Sequence, residues 1–560
     1  MDTIEIVIEN THERRQVRPG ISLAELAQEY YTELGRMPLE NPILGGLVNN
    51  KVEHMQFRLY SPKTVYFFDI HHPHGWRMYQ SSLTFMLYKA VRDIYPDARL
   101  SVKHSMQGGF YCTIEGIDEE RITIARTVRD RMIELQHLDL PFQHRSMLLT
   151  DAIEHIKTCN IPKTLDLLQS LNQLYITMHV LDDTMHKMAS KLVPSTGCLK
   201  YWDFHMYADE GYILQMPDPH HIDRPPLLPD TPKLFNIFKL HHLWVDRLHL
   251  STITDLNRIV RDNNQVQLIH ISEALHEKCY SEIANMIYRK RDQVRMILVA
   301  GPSSSGKTTS CRRLSVQLTV MGFDVKQLSL DDYFVCRDRT PKLPNGEYDF
   351  ESIDALDIPL LNDHLQRMFN GERVEIPTFD FLKGDPYYDG KSIQLGPNSI
   401  LVVEGIHALN PKLTAQIADE LKFKVYVSTL TQIAIDDLNS IRSSENRMLR
   451  RIVRDNNFRG WDAYNTLHRW HEVRRGEEIN IFPFQEQADV MFNSALIYEL
   501  GILKHYAEPL LQMVPQDIPE RAEAKRLLDI LQYFDDITAE DDVPNNSLLR
   551  EFIGKSVFFK

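Results

Sequence analysis

The stretch MILVAGPSSSGKTTSCRRLSVQL, Met296 to Leu318, decides how this chain is read. Its unbroken apolar run, Met296 to Ala300, reads as a buried strand, and Cys311, Leu314 and Leu318 fall on one face of a following helix. Between them, Gly301-Pro302-Ser303-Ser304-Ser305-Gly306-Lys307-Thr308 fits GxxxxGK[ST], with Thr309 next in the helix. The glycines let the backbone wrap so that successive N–H groups face phosphate oxygens, and the helix N-terminus adds a favourable dipole. In such a loop Lys307 neutralises the β/γ oxygens and the Thr308 hydroxyl ligates Mg²⁺. The pattern predicts a nucleoside triphosphate, ATP or GTP, held with Mg²⁺.

Two downstream signals narrow this. Switch GTPases read guanine with NKxD after the loop, but the nearest string, Asn50-Lys51-Val52-Glu53, lies upstream and ends in Glu. Motor and transporter ATPases show an apolar run ending in Asp-Glu, whereas SILVVEGIHAL ends its run at Glu404-Gly405. A lone carboxylate at a strand end suits a small kinase, in which Glu404 holds Mg²⁺ through water.

The acceptor side is read from FDVKQLSLDDYF, where Asp331 and Asp332 fall at the end of a second parallel strand. A carboxylate there accepts the proton of a hydroxyl attacking in line with the γ-phosphate. A turn or N-cap role is the plain alternative. Further on, SIRSSENRMLRRIVRDNNFRGWD carries arginines at 442, 447, 450, 451, 454 and 459. They form either a solvated face or a lid that meets developing negative charge.

At 560 residues the chain exceeds one core, and about 150 residues per domain predicts three or four units. Apolar residues at 43% and charged residues at 25% exclude wholesale disorder and a membrane protein. No apolar run approaches the ~18 residues that span a bilayer, and MDTIEIVIENTHERR lacks a signal-peptide pattern, so a cytoplasmic protein is expected. Six scattered cysteines without CxxC predict reduced, mostly buried thiols, and a formal charge of −14 gives no global attraction to nucleic acid.

At the front, IEIVIEN reads as a half-buried strand, and PGISLAELAQEY as a turn and a helix with Leu23, Leu26 and Ala27 on one face. A second β-like passage, GLVNNKVEHMQFRL, turns at Asn49-Asn50. SSLTFMLYKAVRDIYP is a long helix, GGFYCTI a strand, and a helical region is expected through about residue 190. The Pro-rich HHIDRPPLLPDTP marks a boundary, after which Leu275, Ile283, Met286 and Ile287 line a helix leading to the strand at Met296. The tail after residue 500 reads as helical around an acidic loop, DDITAEDDVPNNS. His71-His72 with His74, His220-His221 and His241-His242 have no zinc spacing and are expected at surfaces or loops.

In order along the chain, GPSSSGKTT, LSLDDYF, YDFESIDALD, IPTFDF, LVVEGIHAL, RRIVRDNNFRG and QADVMFNSA resemble the uridine kinase and phosphoribulokinase family of P-loop kinases. The resemblance implies that Asp331 is the general base, that Glu351 holds ribose hydroxyls, and that Arg451, Arg454 and Arg459 are lid arginines. Uridine kinases read NFDHP where this chain has DFESI, and a base-contacting histidine of some members falls near Gly384. The first half resembles the front of threonyl-tRNA synthetase. IEIVIEN to LVNNKVEHMQFRL looks like its ubiquitin-like TGS module, and RMYQSSLTFMLYKAVRDIYP, GGFYC and LVPSTGCLKYWDF look like its editing domain. The four editing positions of that family, HxxxH and CxxxH, become Ser81, Phe85, Met188 and Leu192, which implies that deacylase chemistry is lost and binding remains: a small regulator, an RNA, or a partner subunit such as a second copy.

The expected architecture is therefore α/β: a P-loop kinase domain with a parallel sheet at 292–500 and a helical tail at 501–560. Before it come a TGS-like module at 1–63, an editing-like α+β domain at 64–225 and a helical connector at 226–291. The expected reaction is transfer of the γ-phosphate of ATP, with Mg²⁺, to the 5′-hydroxyl of a nucleoside. Tyr333, Phe334, Phe379 and Asp380 join Asp331 and Glu351 as acceptor residues, in a segment also holding Tyr348, Phe350, Phe381, Tyr387 and Tyr388. Flat apolar surfaces suit a base, whereas a sugar phosphate needs clustered cations, and Lys342, Arg373 and Lys383 are scattered. Uridine or cytidine is the first expectation, with a purine nucleoside open. The alternatives are a sugar-phosphate kinase and an RNA-binding or regulatory protein gated by NTP.

Overall fold

A computed structural model describes residues 3–33, 41–106, 108–208, 210–218, 221–225, 231–343, 346–380, 383–431 and 433–559. Five parallel strands form the sheet that carries the phosphate loop, in the spatial order Asp324–Ser329, Ser399–Glu404, Met296–Ala300, Lys422–Ser428 and Val490–Asn493. Every residue of the central strand Met296–Ala300 is buried, as its continuous apolar sequence requires of a strand covered on both faces. One face receives helix Lys307–Val320 through Cys311, Leu314 and Leu318, together with Ile283 and Ile287 of the long helix Gln265–Arg289. Met286 points the other way, 38% exposed, so the buried stripe of that helix runs through Tyr280, Ile283, Ala284 and Ile287 instead.

The strand ends make the site. Val299 pairs with Glu404, and Glu404 with Ser329, so the three neighbouring carboxyl ends deliver the loop at Gly301, the turn at Asp331 and Glu404 to one crevice.

The first sheet runs Glu13–Val17, Ile4–Ile8, Lys63–Phe68, Gly45–Val48, Lys51–His54. Asn49 and Asn50 make its tight turn with φ of 47° and 57°, a conformation Asn tolerates better than most residues. Helix Leu23–Glu33 buries Leu23, Leu26 and Ala27 against it. Lys63–Phe68 lies at the centre of this sheet, so the first module extends beyond the boundary expected at residue 63.

Next, helix Pro73–Ile94 is buried through its middle, Ser82 to Val91, beside two antiparallel sheets. One comprises Phe142–Leu148, Tyr175–Leu181 and Thr184–His186, the other Asp203–Tyr207, Gly211–Gln215, Gly109–Glu115 and Arg99–Met106. The uniform helical region expected up to residue 190 is corrected: helices Arg121–His137, Leu149–Lys157 and Pro162–Ser170 alternate with strands. The strand FQHRSML is too polar to show a period of two and is fixed by pairing with Tyr175–Leu181. Phe85, Met188 and Leu192 lie in the apolar core of this region, which leaves no polar set at the positions compared with an editing pocket.

Helices Pro232–Arg247, Ile253–Arg261 and Gln265–Arg289 bridge to the region of the parallel sheet. Helix Glu499–Gln512 begins before the boundary expected at 500, and the tail continues with Glu520–Leu531 and a last turn, Arg550–Ile553. That last turn is not peripheral: Leu548 and Phe552 are fully buried in the core under the phosphate loop. Among the histidines expected at the surface, His74 is instead buried, pushed down to about 3 by loss of water and by Arg77. His220 lies outside the described residues, as does Phe381. All six cysteines are free thiols, three of them buried. No helix among the described residues is long and apolar enough to cross a membrane.

Candidate active site

The loop Gly301–Gly306 leaves its strand through a contact that only glycine permits: a Cβ on Gly301 would fall 2.0 Å from the Val427 carbonyl oxygen. Ser304 and Gly306 take positive φ, 58° and 79°, which folds the chain back onto the start of helix Lys307–Val320. The first bond inside that helix runs from the Ser310 N–H to the Gly306 carbonyl at 3.0 Å. The N–H groups of Gly306, Lys307 and Thr308 thus have no intrahelical partner and face the loop. The Ser304 and Ser305 hydroxyls are buried without a partner, and Lys307 Nζ donates to the Pro302 carbonyl at 3.1 Å. Orphan donors around a lysine are what a polyphosphate satisfies.

Carboxylates close the crevice. Glu404 accepts from the Thr308 hydroxyl at 3.4 Å and from Ser329 at 3.1 Å. Burial, together with repulsion from Asp331, pushes it up to about 7. The Thr308 hydroxyl and the Glu404 carboxylate are hard oxygen donors adjacent to the loop, a set that fits Mg²⁺. Asp331, in the 3₁₀ turn Leu330–Tyr333, retains solvent access on the cleft floor. Partial loss of water in the cleft raises its carboxyl above the ordinary range, against the attraction of Lys307, Arg459 and Arg454. Asp332 leaves the site and pairs with Lys391 at 3.2 Å.

The arginine helix, Ser443–Arg459, divides its guanidinium groups between two tasks. Arg447 and Arg450 are buried and donate to the Ser303 and Ser304 carbonyls at 3.1 and 3.4 Å, so they fasten the loop. Arg451 donates to the Ser303 hydroxyl at 2.9 Å and to Asp455 at 3.2 Å. Arg454 meets the same buried carboxylate at 2.9 Å and Arg459 meets it at 3.5 Å, half exposed at the mouth. Crowding by Arg454 brings Arg459 down to about 10. The three expected lid arginines therefore share Asp455, and Arg451 ties the group to the loop at Ser303.

On the acceptor side, burial pushes Glu351 up to about 7 against the pull of Arg451 and Lys307. Its Oε2 is buried with no hydrogen-bond partner. Helix Ala463–Asn480 passes so close that a Cβ on Gly476 would fall 2.3 Å from Glu351 Cβ, and Asn480 holds the Glu351 carbonyl at 3.0 Å. Phe334 and Phe379 lie 5.5 Å apart, centroid to centroid, and Tyr348 and Phe350 lie 5.9 Å apart. Asp380 caps the turn to Lys383. Tyr387 and Tyr388 are about half exposed. Tyr333 does not join them: it is buried, with its hydroxyl on His364 Nδ1 at 3.0 Å, and serves the core. Gly384 has φ +77°, a left-handed conformation in which a histidine would be strained.

Three residues of this site have no role in the sequence reading. Asp455 sits inside RRIVRDNNFRG, four residues from both Arg451 and Arg459, the helical spacing at which one acid meets two arginines. Glu477 is fully buried; burial alone raises such a carboxyl, but Arg447 and Arg474 bring it below the ordinary range. Glu551 reaches Thr309 from the far end of the chain, a contact no local signal announces.

Residues 296–498 match the model of the Phosphoribulokinase / Uridine kinase family. Uridine kinase of Staphylococcus haemolyticus (strain JCSC1435) is 28% identical over 197 residues, 35% of this chain and 86% of that protein. Uridine kinase of Mycoplasma genitalium (strain ATCC 33530 / DSM 19775 / NCTC 10195 / G37) is 27% identical over 179 residues, 32% of this chain and 74% of that protein. A solved structure described as a possible uridine kinase from Bacillus stearothermophilus aligns with 36% of this chain and 89% of its own, at 18% identity and a TM-score of 0.25, too low to carry an argument. The sequence matches and the parallel sheet agree on the same segment: residues 296–498 form a phosphoribulokinase / uridine kinase family domain.

Proposed function

We propose that this protein transfers the γ-phosphate of ATP to the 5′-hydroxyl of a nucleoside. The observation that carries the reading is Glu351 Oε2, a buried oxygen with no donor, placed beside Arg451 and Lys307 next to the phosphate loop. A buried acceptor without a partner is costly, and a ribose hydroxyl supplies the missing donor. The aromatic pairs Phe334/Phe379 and Tyr348/Phe350 offer flat surfaces for a base. Lys342 lies over the Tyr348 ring, Arg373 bonds Ser392, and Lys383 is exposed beside Asp380, so none of these cations is gathered for a second phosphate.

In this reading the loop N–H groups and Lys307 hold the ATP phosphates, Asp331 takes the proton of the attacking hydroxyl, and Arg451, Arg454 and Arg459 meet the charge that develops on the transferred group. Mg²⁺, held by Thr308 and by Glu404 through water, neutralises the β and γ oxygens. The uridine kinase name of the relatives supports this assignment. The test is product analysis: purified protein with ATP, Mg²⁺ and a panel of nucleosides, sugars, sugar phosphates and RNA, with products identified by mass and ³¹P NMR. A nucleoside 5′-monophosphate is the expected product; phosphate on another acceptor alone, or none on any, overturns the reading.

A second reading, in which nucleotide occupancy is relayed to the front half, is favoured by one ion network. Arg526 binds Glu445 of the arginine helix and Glu523, and Glu523 in turn holds Arg77 of helix Pro73–Ile94 at 2.8 Å. A ligand of the front half, whether a small regulator or an RNA, is then coupled to the kinase rather than merely tethered to it.

A further inference from the structure

The phosphate loop is met by a carboxylate from outside the family domain. Glu551 Oε2 accepts from the Thr309 N–H at 3.2 Å and from the Thr309 hydroxyl at 2.6 Å. In a helix capped at Gly306, Thr309 carries the last of the N–H groups left without an intrahelical partner. It is thus one of the donors that a helix N-terminus offers to a phosphate.

The segment bearing Glu551 is fixed in place. Leu548 and Phe552 are fully buried, and a Cβ on Gly306 would fall 2.6 Å from the Leu548 side chain. Asn457 donates to the Phe552 carbonyl at 3.1 Å, Ser547 to Glu273 at 2.6 Å, and Arg550 to the Val543 carbonyl at 2.8 Å. Glu551 itself is half-buried, open to solvent between the buried Arg550 and Phe552. Its charge adds to those of Glu404 and Asp331 around Lys307.

We propose that Glu551 sets the affinity of the site for its nucleotide: its carboxylate occupies the phosphate position at Thr309 and competes with the phosphates of the incoming donor. This rests on the reading of Gly301–Thr309 as the donor's phosphate site. When a nucleoside di- or triphosphate enters, the Glu551 side chain turns toward solvent and the Thr309 N–H and O–H pass to a phosphate oxygen. No bond is made or broken in the exchange. Two anions do not share one donor pair, and a like charge left within a few ångströms opposes binding.

The test is calorimetric titration of the full chain with ADP and Mg²⁺, comparing wild type, Glu551→Gln and Glu551→Ala. Gln keeps the shape and the oxygen acceptor but removes the charge; if the Ala variant fails to fold, the Gln variant decides. Both are expected to bind ADP about tenfold more tightly, the scale of one removed like charge at a partly screened site. Equal or weaker binding by a folded Glu551→Gln, with wild type binding ADP, overturns the proposal and leaves the phosphate-loop reading standing. If neither wild type nor variant binds ADP, the phosphate-loop reading falls and the proposal falls with it.

Discussion

Glu477, on helix Ala463–Asn480, accepts the Ser303 N–H of the phosphate loop at 3.2 Å while Arg447 and Arg474 hold its two oxygens. Arg447 in turn donates to the Ser303 carbonyl, so one buried ion pair holds both backbone polar groups of a single loop residue. The root of the arginine helix is therefore fastened to the phosphate loop. Only its far end, at Arg459, has the exposure needed to adjust around a ligand.

Glu477→Ala should accordingly be severe. Removing one partner of a buried pair leaves an uncompensated charge, here Arg447, at a cost of about 3–5 kcal/mol. Urea unfolding of the nucleotide-free protein measures this. A cost below about 1 kcal/mol would mean that the pair does not hold the loop.

Lys307→Ala should leave the melting temperature within a few degrees of wild type but lower kcat/KM about 10²–10³-fold, the scale of one lost cationic donor in a transition state. Near-normal turnover by a folded variant would remove the loop from catalysis.

Asp331→Asn should preserve ATP affinity and lower kcat about 10²–10⁴-fold, because the amide cannot accept the hydroxyl proton. Loss of ATP affinity with turnover intact would make Asp331 a structural or metal-associated residue instead.

Glu404 supplies a pH dependence. Its carboxyl lies at about 7 in the fold against 4.5 as the reference value, so the folded state holds the proton more tightly than the unfolded chain. The resulting stability is full below about pH 4.5 and is lost as pH rises toward 7. Glu404→Gln, neutral throughout, should gain on wild type between pH 5 and pH 8 by on the order of 1–2 kcal/mol, discounted for solvent reaching the carboxylate in the cleft. Melting temperatures of metal- and nucleotide-free protein at the two pH values give the comparison; an identical difference at both contradicts the assignment.

What the sequence showed of this site was what is local. The strand, turn and helix around Gly301–Thr308 follow from apolar runs and glycine spacing within a few residues, Glu404 follows because it ends an apolar strand, and Asp331 because it falls in the turn just after one. Tyr333 and Phe334 differ in fate although adjacent, since the 3₁₀ turn sends one to His364 and the other toward Phe379. Asp455 was within reach of its arginines' spacing, but Glu477 and Glu551 act through contacts 174 and 242 residues apart in sequence. In the front half, FQHRSML became a strand because a partner strand satisfies its backbone, not because its own pattern demands it.

The acceptor is tested most directly by steady-state kinetics with matched concentrations of uridine, cytidine, purine nucleosides and ribulose 5-phosphate, ATP and Mg²⁺ being saturating. With Glu351 offering its unpartnered oxygen, and Lys342, Arg373 and Lys383 each engaged elsewhere rather than gathered for a second phosphate, a nucleoside is expected to give the highest kcat/KM, and Glu351→Gln to raise its KM. A higher kcat/KM for ribulose 5-phosphate, or any sugar phosphate, than for every nucleoside would contradict it.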